Sequence, residues 1–428
     1  MSSLLLKDNM KVKSLRDIFL EIKVNENKYI IYNSIKHIPI AVNSTQKQYF
    51  DYIIDVKDGL DKKLEGDALN GFKSFVKQLK KIDFLSIKEE FISKQSLLDS
   101  FDKYKKTFYL HLTNRCNLKC SYCYNVDKRV RFNDLPLDSW MTILNKILPY
   151  ASEIILTGGE PTLYEYFCDI VEYIKQYDEK IHIKLISNAT LDYNKNGISN
   201  VLLLIDSINF SCDDLSGEPQ ERVGFKKDVF IRNLHLINDL GLKGRLNISS
   251  VFQRGKLSKI NDVQHFCVNN GYSSTVSIYI PNSEDEKDKM PTLEEYELLN
   301  PFLCDDNNED KSIAYKTTTC QAASITFSID PEGFVFPCQS FHFPDFCFGN
   351  LLKDSFKDVY YSTKAEMLRV ANDVNYKEKC NNCNVKYICS GGCVANTFGI
   401  EGGLLKHPKT MCEYYKSGAI KRLKNVEF

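Results

Sequence analysis

Cys116, Cys120 and Cys123 stand in one short run, His111–Tyr124, which reads HLTNRCNLKCSYCY. Their C-x3-C-x2-C spacing puts three thiolates on one loop, enough to hold three irons of a 4Fe–4S cube. A cluster that only carries electrons usually takes four cysteines. With three, one iron has no protein ligand and is open to a substrate. Zinc is the alternative, but structural zinc wants four ligands, commonly in C-x2–4-C pairs. His111 could be a fourth donor, although it lies five residues upstream in a strand-like run.

Cysteine concentrates again toward the C-terminus. Cys320, Gly333 and Cys338 fit C-x12-G-x4-C; Cys380, Cys383, Cys389 and Cys393 follow as C-x2-C-x5-C-x3-C, and Cys412 closes the set. Cys168, Cys212 and Cys267 fall on apolar helix or strand faces and read as core residues.

The elements that must position these residues alternate between strand and helix over residues 104–285, which argues for a parallel α/β architecture. Strand-like runs are Phe108–Leu112, Glu153–Leu156, Ile181–Ile186, Ser207–Ser211, Leu246–Phe252 and Thr275–Ile280. Helical patterns are Ser139–Leu148, Tyr166–Tyr177, Val229–Leu240 and Ile260–Asn269, with Gly241 and Gly271 as stops. The cysteine loop follows the first strand and Thr157-Gly158-Gly159-Glu160-Pro161 follows the second.

This order resembles the radical S-adenosylmethionine (SAM) enzymes: the three-cysteine loop with Tyr122 before the last cysteine, the GGEP run one strand later, and six strands in all. The resemblance implies a partial (β/α)6 TIM barrel, with functional groups at the C-terminal ends of its strands. It implies that the open iron chelates SAM, which is cleaved to a 5′-deoxyadenosyl radical. It gives SAM contacts to Tyr122 in the cysteine loop, to Gly158, Gly159, Glu160 and Pro161, to Ser187 and Asn188 after the third strand, and to Ser211 and Asp213 at the fourth. Arg222 matches an arginine that pairs with the SAM carboxylate in some relatives. Without the resemblance, GGEP is a turn, Ser187-Asn188 an ordinary turn, Asp213 and Asp214 helix caps and Arg222 a surface charge.

The C-terminal cysteine order resembles the SPASM domain of peptide-modifying radical SAM enzymes, whose ligands interleave between two auxiliary 4Fe–4S clusters. The resemblance assigns Cys320, Cys338 and Cys393 to the first and Cys380, Cys383, Cys389 and Cys412 to the second, three clusters in all. The first lacks a fourth ligand: the position used by some relatives is Ala314, which leaves Cys304, Cys347 or an open iron. Two zinc sites are the alternative.

Residues 1–103 contain no cysteine. Tyr29–Val42 reads as a hairpin around Asn33–His37, followed by helices over Gln46–Asp58 and Gly66–Lys81 and a short strand at Phe84–Ile87. The order resembles the winged-helix-like element with which maturases of ribosomally made peptides bind a leader, by adding it to a strand edge. A structural extension is the plain alternative. Lys88–Lys106 reads as a charged linker. The domains are therefore 1–103, 104–285 and 286–428.

The chain has 428 residues, 43% hydrophobic and 26% charged, with Lys+Arg and Asp+Glu both 56. The zero formal charge gives no support to nucleic-acid binding. No run approaches a membrane span, and the N-terminal apolar run Leu4–Leu6 is too short for a signal peptide. Fifteen cysteines in a chain read as cytoplasmic are metal ligands before they are disulfides.

Together these imply a peptide maturase that abstracts a hydrogen atom from a precursor peptide with a leader and installs an oxidative cross-link, a Cys thioether first. An external electron donor such as flavodoxin or ferredoxin is implied. The rival is an anaerobic sulfatase-maturing, formylglycine-forming enzyme, in which an aspartate follows the cysteine matching Cys338 and acts as base; here that residue is Gln339. Carbon–carbon or carbon–oxygen cross-linking, epimerisation and a non-catalytic iron–sulfur carrier complete the alternatives.

Overall fold

The computed structural model describes residues 19–34, 38–55, 64–85, 101–102, 104–123, 125, 134–216, 221–281, 284–299 and 320–424. It divides into two compact units, one from Met1–Ser93, Asp306–Cys320 and Ala371–Phe428, the other from Lys94–Asp305 and Gln321–Val370.

In the first unit, β1 (Phe19–Lys23), β2 (Tyr29–Asn33) and β3 (Ile38–Val42) form an antiparallel sheet in that order. β2 and β3 are the expected hairpin; β1 is an addition that pairs Phe19 with Asn33 and Lys23 with Tyr29. Helices α1 (Ser44–Asp55) and α2 (Gly66–Lys81) cover one face of it. Because side chains alternate along a strand, Ile31 joins Phe19, Val42, Phe50, Phe75 and Leu79 on that face, while Ile30 and Tyr32 lie in a second cluster.

The strand expected at Phe84–Ile87 does not start where the pattern put it. Phe84 and Leu85 form a turn, and Phe84 is fully buried with its ring 5.6 Å from Phe19 and 6.1 Å from Phe50. Two adjacent apolar residues here plug a core instead of extending a sheet. Ser86 and Ile87 lie outside the described residues.

The second unit begins with β4 (Lys106–His111), followed by the short β5 (Lys119–Cys120), α3 (Leu137–Ile147), β6 (Ala151–Thr157), α4 (Phe167–Tyr177), β7 (His182–Ser187) and β8 (Ser207–Ser211). Then come β9 (Arg222–Val223), α5 (Lys227–Asp239), β10 (Leu246–Phe252), α6 (Leu257–Asn270), β11 (Ser273–Ile278) and α7 (Leu293–Leu298). The four helices between barrel strands bury one spacing, i, i+3, i+4, i+7: Trp140, Ile143, Leu144 and Ile147 on α3, and Phe167, Ile170, Val171 and Ile174 on α4. On α5 and α6 the same spacing takes in one polar residue each, Asn233 and Gln264. Each apolar side chain buried this way contributes about 1.5–3 kcal/mol.

The six strands β4, β6, β7, β8, β10 and β11 lie in chain order, each parallel to the next, so their C-terminal ends share one edge. The sheet does not stop at β4. β12 (Thr326–Ile329) pairs parallel with β4, and β13 (Phe334–Phe336) and β14 (Gly349–Asn350) extend it to nine strands. A segment beyond residue 285 thus completes the barrel's sheet. Helices α8 (Phe356–Tyr360) and α9 (Thr363–Ala371) follow. The linker reading fails at its last residue: Lys106 heads β4 and is fully buried, donating to the carbonyls of Phe101 (3.0 Å) and Tyr104 (2.6 Å).

The first unit also holds α10 (Lys386–Cys389), α11 (Val394–Glu401) and α12 (Cys412–Lys424). Here Ile22, Ile30 and Tyr32 of the N-terminal sheet pack with Val385, Ile388, Ala419 and Leu423, and Cys383 and Cys389 flank that core. Regions at opposite ends of the chain therefore share one hydrophobic core.

Candidate functional site

The cysteine loop leaves β4 at His111, and the residues after β6 run back along its stem. Gly159 N–H donates to Thr113 C=O and Glu160 N–H to Arg115 C=O, both at 2.8 Å. A β-carbon on Gly158 would stand 2.5 Å from Thr113 O, and one on Gly159 2.2 Å from Arg115 O. Gly158 also has φ +140°, a region that L side chains rarely adopt. Glycine at both positions lets these two backbones come together.

Glu160 is the hub of the next contacts. Its buried carboxylate accepts from Thr162 Oγ1 (2.7 Å), Ser187 Oγ (2.8 Å) and Asn188 N–H (2.7 Å). Burial pushes its pKa up, and these hydrogen bonds oppose the shift. Pro161 follows in a tight helical turn, Pro161–Leu163. Asn188 Nδ2 donates to Asn117 Oδ1 at 2.8 Å and reaches Cys116 Sγ at 3.8 Å. Strand end, GGEP turn and cluster loop are thereby one polar network.

Besides Asn117 and Thr162, four further members of that network escaped the sequence reading. Thr190 donates to Asn188 Oδ1 (2.7 Å) and accepts from Asn117 (3.0 Å), and Tyr193 OH donates to Ser187 Oγ (2.7 Å). Ala189 holds φ +54°, uncommon for a residue with a β-carbon. Asn233 steadies that turn by donating to the carbonyls of Ala189 (2.9 Å) and Leu191 (2.7 Å). A polar residue at a core-facing position of α5 was the available signal.

At the fourth strand end, Ser211 pairs in register with Ser249 of β10. Asp213 Oδ2 accepts from Arg222 Nε at 2.8 Å and from the Tyr122 hydroxyl, and Oδ1 accepts from Val251 N–H at 2.8 Å. Arg222 lies across from Cys120 in the β5–β9 pair, its guanidinium 5.5 Å from the Tyr122 ring. Burial would weaken the Arg222 charge, but Asp213, Tyr122 and Cys120 outweigh it and hold the guanidinium firmly protonated. Asp213 and Asp214 are not helix caps: Asp214 pairs with Lys259 and accepts from Ser216 N–H at 2.7 Å. Tyr122, Asp213 and Arg222 thus tie the cysteine loop to the barrel.

In the first unit, Cys380, Cys383, Cys389 and Cys412 line one cavity of about 180 Å³, together with Lys379, Lys386 and His407. Four thiolates around a cation-flanked cavity fit a cluster with four cysteine ligands. Cys320 and Cys393 belong to the same unit; Cys338 and Cys347 belong to the other, and Cys304 lies outside the described residues. Cys347 Sγ donates to Gly349 C=O at 3.6 Å. Among the described residues no three His, Cys, Asp or Glu side chains converge on a point that would hold a single metal ion. Burial pushes the Cys212 and Cys267 thiols up to about 12, as inert core residues require, and Cys168 donates to Gly197 C=O at 3.7 Å. No helix among the described residues is long and apolar enough to cross a membrane.

A sheet of parallel strands with a three-cysteine loop at its functional edge defines a class, the partial-barrel α/β proteins that carry a cluster at the first strand end. Residues 110–255 match the Radical SAM superfamily, and residues 320–384 match SPASM, an iron-sulfur cluster-binding domain. The chain thus carries a radical SAM domain over residues 110–255 and an iron-sulfur cluster-binding SPASM domain over residues 320–384. Among curated relatives it is similar to the sporulation killing factor maturation protein SkfB of Bacillus subtilis, 22% identical over 58% of this chain and 63% of that protein. The chain spans about half to two thirds of the length of the first curated relatives it matches. Among solved structures, anSMEcpe with bound AdoMet and Cp18Cys peptide has a TM-score of 0.58 at 19% identity, covering 75% of this chain and 98% of that one. SuiB of Streptococcus suis bound to precursor peptide SuiA has a TM-score of 0.58 at 17% identity, covering 92% and 98%.

Proposed function

We propose that this enzyme is a maturase that cross-links a ribosomally synthesised precursor peptide, with a thioether from a peptide cysteine as the first choice of bond. The observation that carries the proposal is the cavity walled by Cys380, Cys383, Cys389 and Cys412. Joining a thiol to a C–H carbon releases two hydrogens. One leaves as an atom, the other as a proton from the thiol, and one electron is left over. That electron needs an acceptor inside the protein, and a cluster with four cysteine ligands is suited to take it.

Cys116, Cys120 and Cys123 would hold a 4Fe–4S cluster, which together with SAM would supply the hydrogen-abstracting chemistry. The chain's own part is positioning. Asn188 and Asn117 fix the loop around Cys116, Gly158 and Gly159 lay the GGEP backbone beside it, and Arg222 with Asp213 secures Tyr122. Direct SAM contacts are assigned to Tyr122, Gly158–Pro161, Ser187, Asn188, Ser211, Asp213 and Arg222.

Three 4Fe–4S clusters are proposed, the first auxiliary one held by Cys320, Cys338 and Cys393. Residues 1–103 act as the leader-binding domain, residues 104–285 as the barrel and 286–428 as the SPASM domain. The sheet β1–β3 offers two edges for a leader strand, β1 and β3. SkfB is named as a maturation protein and SuiB was solved with its precursor peptide, which supports a peptide substrate. We place the enzyme in the cytoplasm, with a flavodoxin or ferredoxin as electron donor. Gln339 favours cross-linking over sulfatase maturation, because an amide takes no proton at neutral pH.

Mass spectrometry of a cysteine-containing precursor peptide tests this, after anaerobic incubation with reconstituted, reduced enzyme and SAM. Loss of two hydrogens with cysteines blocked to alkylation is the expected result. The same loss with free thiols would replace the thioether by a carbon–carbon or carbon–oxygen bond, and deuterium uptake without mass loss would mean epimerisation.

A further inference from the structure

Lys377 is fully buried. Its Nζ donates to the carbonyls of Ser390 (3.1 Å) and Gly391 (3.4 Å), which take up two of its three protons without neutralising its charge. Burial lowers its pKa, and the thiols whose charge would oppose that, once they ligate a cluster, are Cys320, Cys380, Cys393 and Cys389. Two of these belong to each proposed auxiliary site. The segment between Cys389 and Cys393 is shaped around this lysine. Ser390, Gly391 and Gly392 are all left-handed, with φ of 58°, 67° and 71°. A β-carbon on Gly391 would stand 2.7 Å from Lys377 Cδ. The turn that carries the chain from one cysteine set to the other therefore closes over a buried ammonium.

We propose that Lys377 is the counter-cation shared by the two auxiliary clusters, and that it holds their reduction potentials up. The inference rests on the reading that both cysteine sets bind 4Fe–4S clusters. A buried charge without an opposite partner is costly, and the thiolate-ligated cubes are the anions within its reach. Reduction adds one electron to a cube and makes no bond. The added negative charge is stabilised by a nearby cation, most strongly where water is absent. Lys377 is a tuning residue and touches no reacting atom of the substrate.

The test uses the full chain with Cys116, Cys120 and Cys123 changed to Ala, so that only auxiliary clusters contribute. Iron content is measured, then a potentiometric titration with dithionite and mediators is followed by electron paramagnetic resonance. In that background Lys377→Gln keeps donors for both carbonyls and removes the charge; Lys377→Arg keeps the charge. The expected result is that Lys377→Gln lowers the reduced-to-oxidised ratio of at least one cluster tenfold or more at fixed poise, equivalent to about 59 mV for a one-electron couple. Lys377→Arg stays with the parent. Loss of cluster iron in Lys377→Gln with retention in Lys377→Arg is also the behaviour of a counter-cation. Unchanged potentials in Lys377→Gln, or an Arg variant that behaves like the Gln variant, overturns the proposal. Less iron than two cubes in the parent overturns the cluster reading itself, and is recorded before any Lys377 variant is made.

Discussion

Asn188 joins Glu160 to the cluster loop: its backbone N–H donates to the Glu160 carboxylate at 2.7 Å, and its side chain reaches Cys116 Sγ at 3.8 Å. Thr162, Ser187 and Asn188 all point donors at this one carboxylate. Glu160→Gln turns one acceptor into a donor facing other donors. A loss of about 1–3 kcal/mol is expected from the unsatisfied groups, read as a lower midpoint in anaerobic thermal unfolding. Weaker SAM binding should accompany it, because the turn carrying Asn188 loses its anchor. Unchanged stability and SAM affinity would mean the network is incidental.

Gly159 makes a sharper prediction. The methyl of Gly159→Ala would meet backbone, Arg115 O at 2.2 Å, and backbone cannot swing aside as a side-chain tip can. The GGEP turn and the cysteine stem must separate, at a cost of about 1–3 kcal/mol or more. Iron at the three-cysteine loop and 5′-deoxyadenosine release should both fall. Gly244→Ala, with open space around its β-carbon, is the control expected to change neither.

Much of the barrel was legible because its helices repeat one apolar spacing and most of its strands alternate apolar with polar residues. Ser207–Ser211 and Leu246–Phe252 appear at the bounds their patterns gave. The cysteine positions were legible because chemistry restricts the residue type. The hidden parts are those where tertiary context decides. β12 is a four-residue run that becomes a strand by pairing with β4. Phe84 has strand chemistry but fills a core between two rings. Asn233 and Lys377 are polar residues in buried positions, and what makes them useful is the carbonyls they face, which no local pattern encodes.

Lys106 gives a pH signature. Burial lowers its pKa to about 8 from 10.5, its two carbonyl partners notwithstanding. The group is a base with a depressed folded-state pKa, so between about pH 8 and 10.5 the unfolded chain binds the extra proton. Stability from this residue therefore rises with pH across that window. Lys106→Met removes the effect. Urea unfolding at pH 8 and pH 10 should show the wild type gaining on the variant, by at most about 3 kcal/mol. A constant difference would contradict the buried-ammonium picture.

The shared core of the first unit predicts a link between chain ends. Leu423 is fully buried in one cluster with Ile30, Tyr32 and Ile388, and Cys389 packs against that cluster. Leu423→Ala should cost about 2–5 kcal/mol. The loosened core should also let the cluster proposed at Cys380, Cys383, Cys389 and Cys412 bleach faster in air, seen as a faster loss of visible absorbance. Equal bleaching rates would separate the N-terminal sheet from any role in shielding that site.

The central claim is that the loop of Cys116, Cys120 and Cys123 is where SAM is cleaved, while the C-terminal cysteines serve another purpose. The most direct measurement is 5′-deoxyadenosine release by the anaerobically reconstituted, reduced enzyme with SAM, compared with Cys116→Ala and Cys412→Ala. The account predicts release by the wild type, none by Cys116→Ala, and at least partial release by Cys412→Ala. Release that survives in Cys116→Ala, or that never occurs in the wild type, would contradict it.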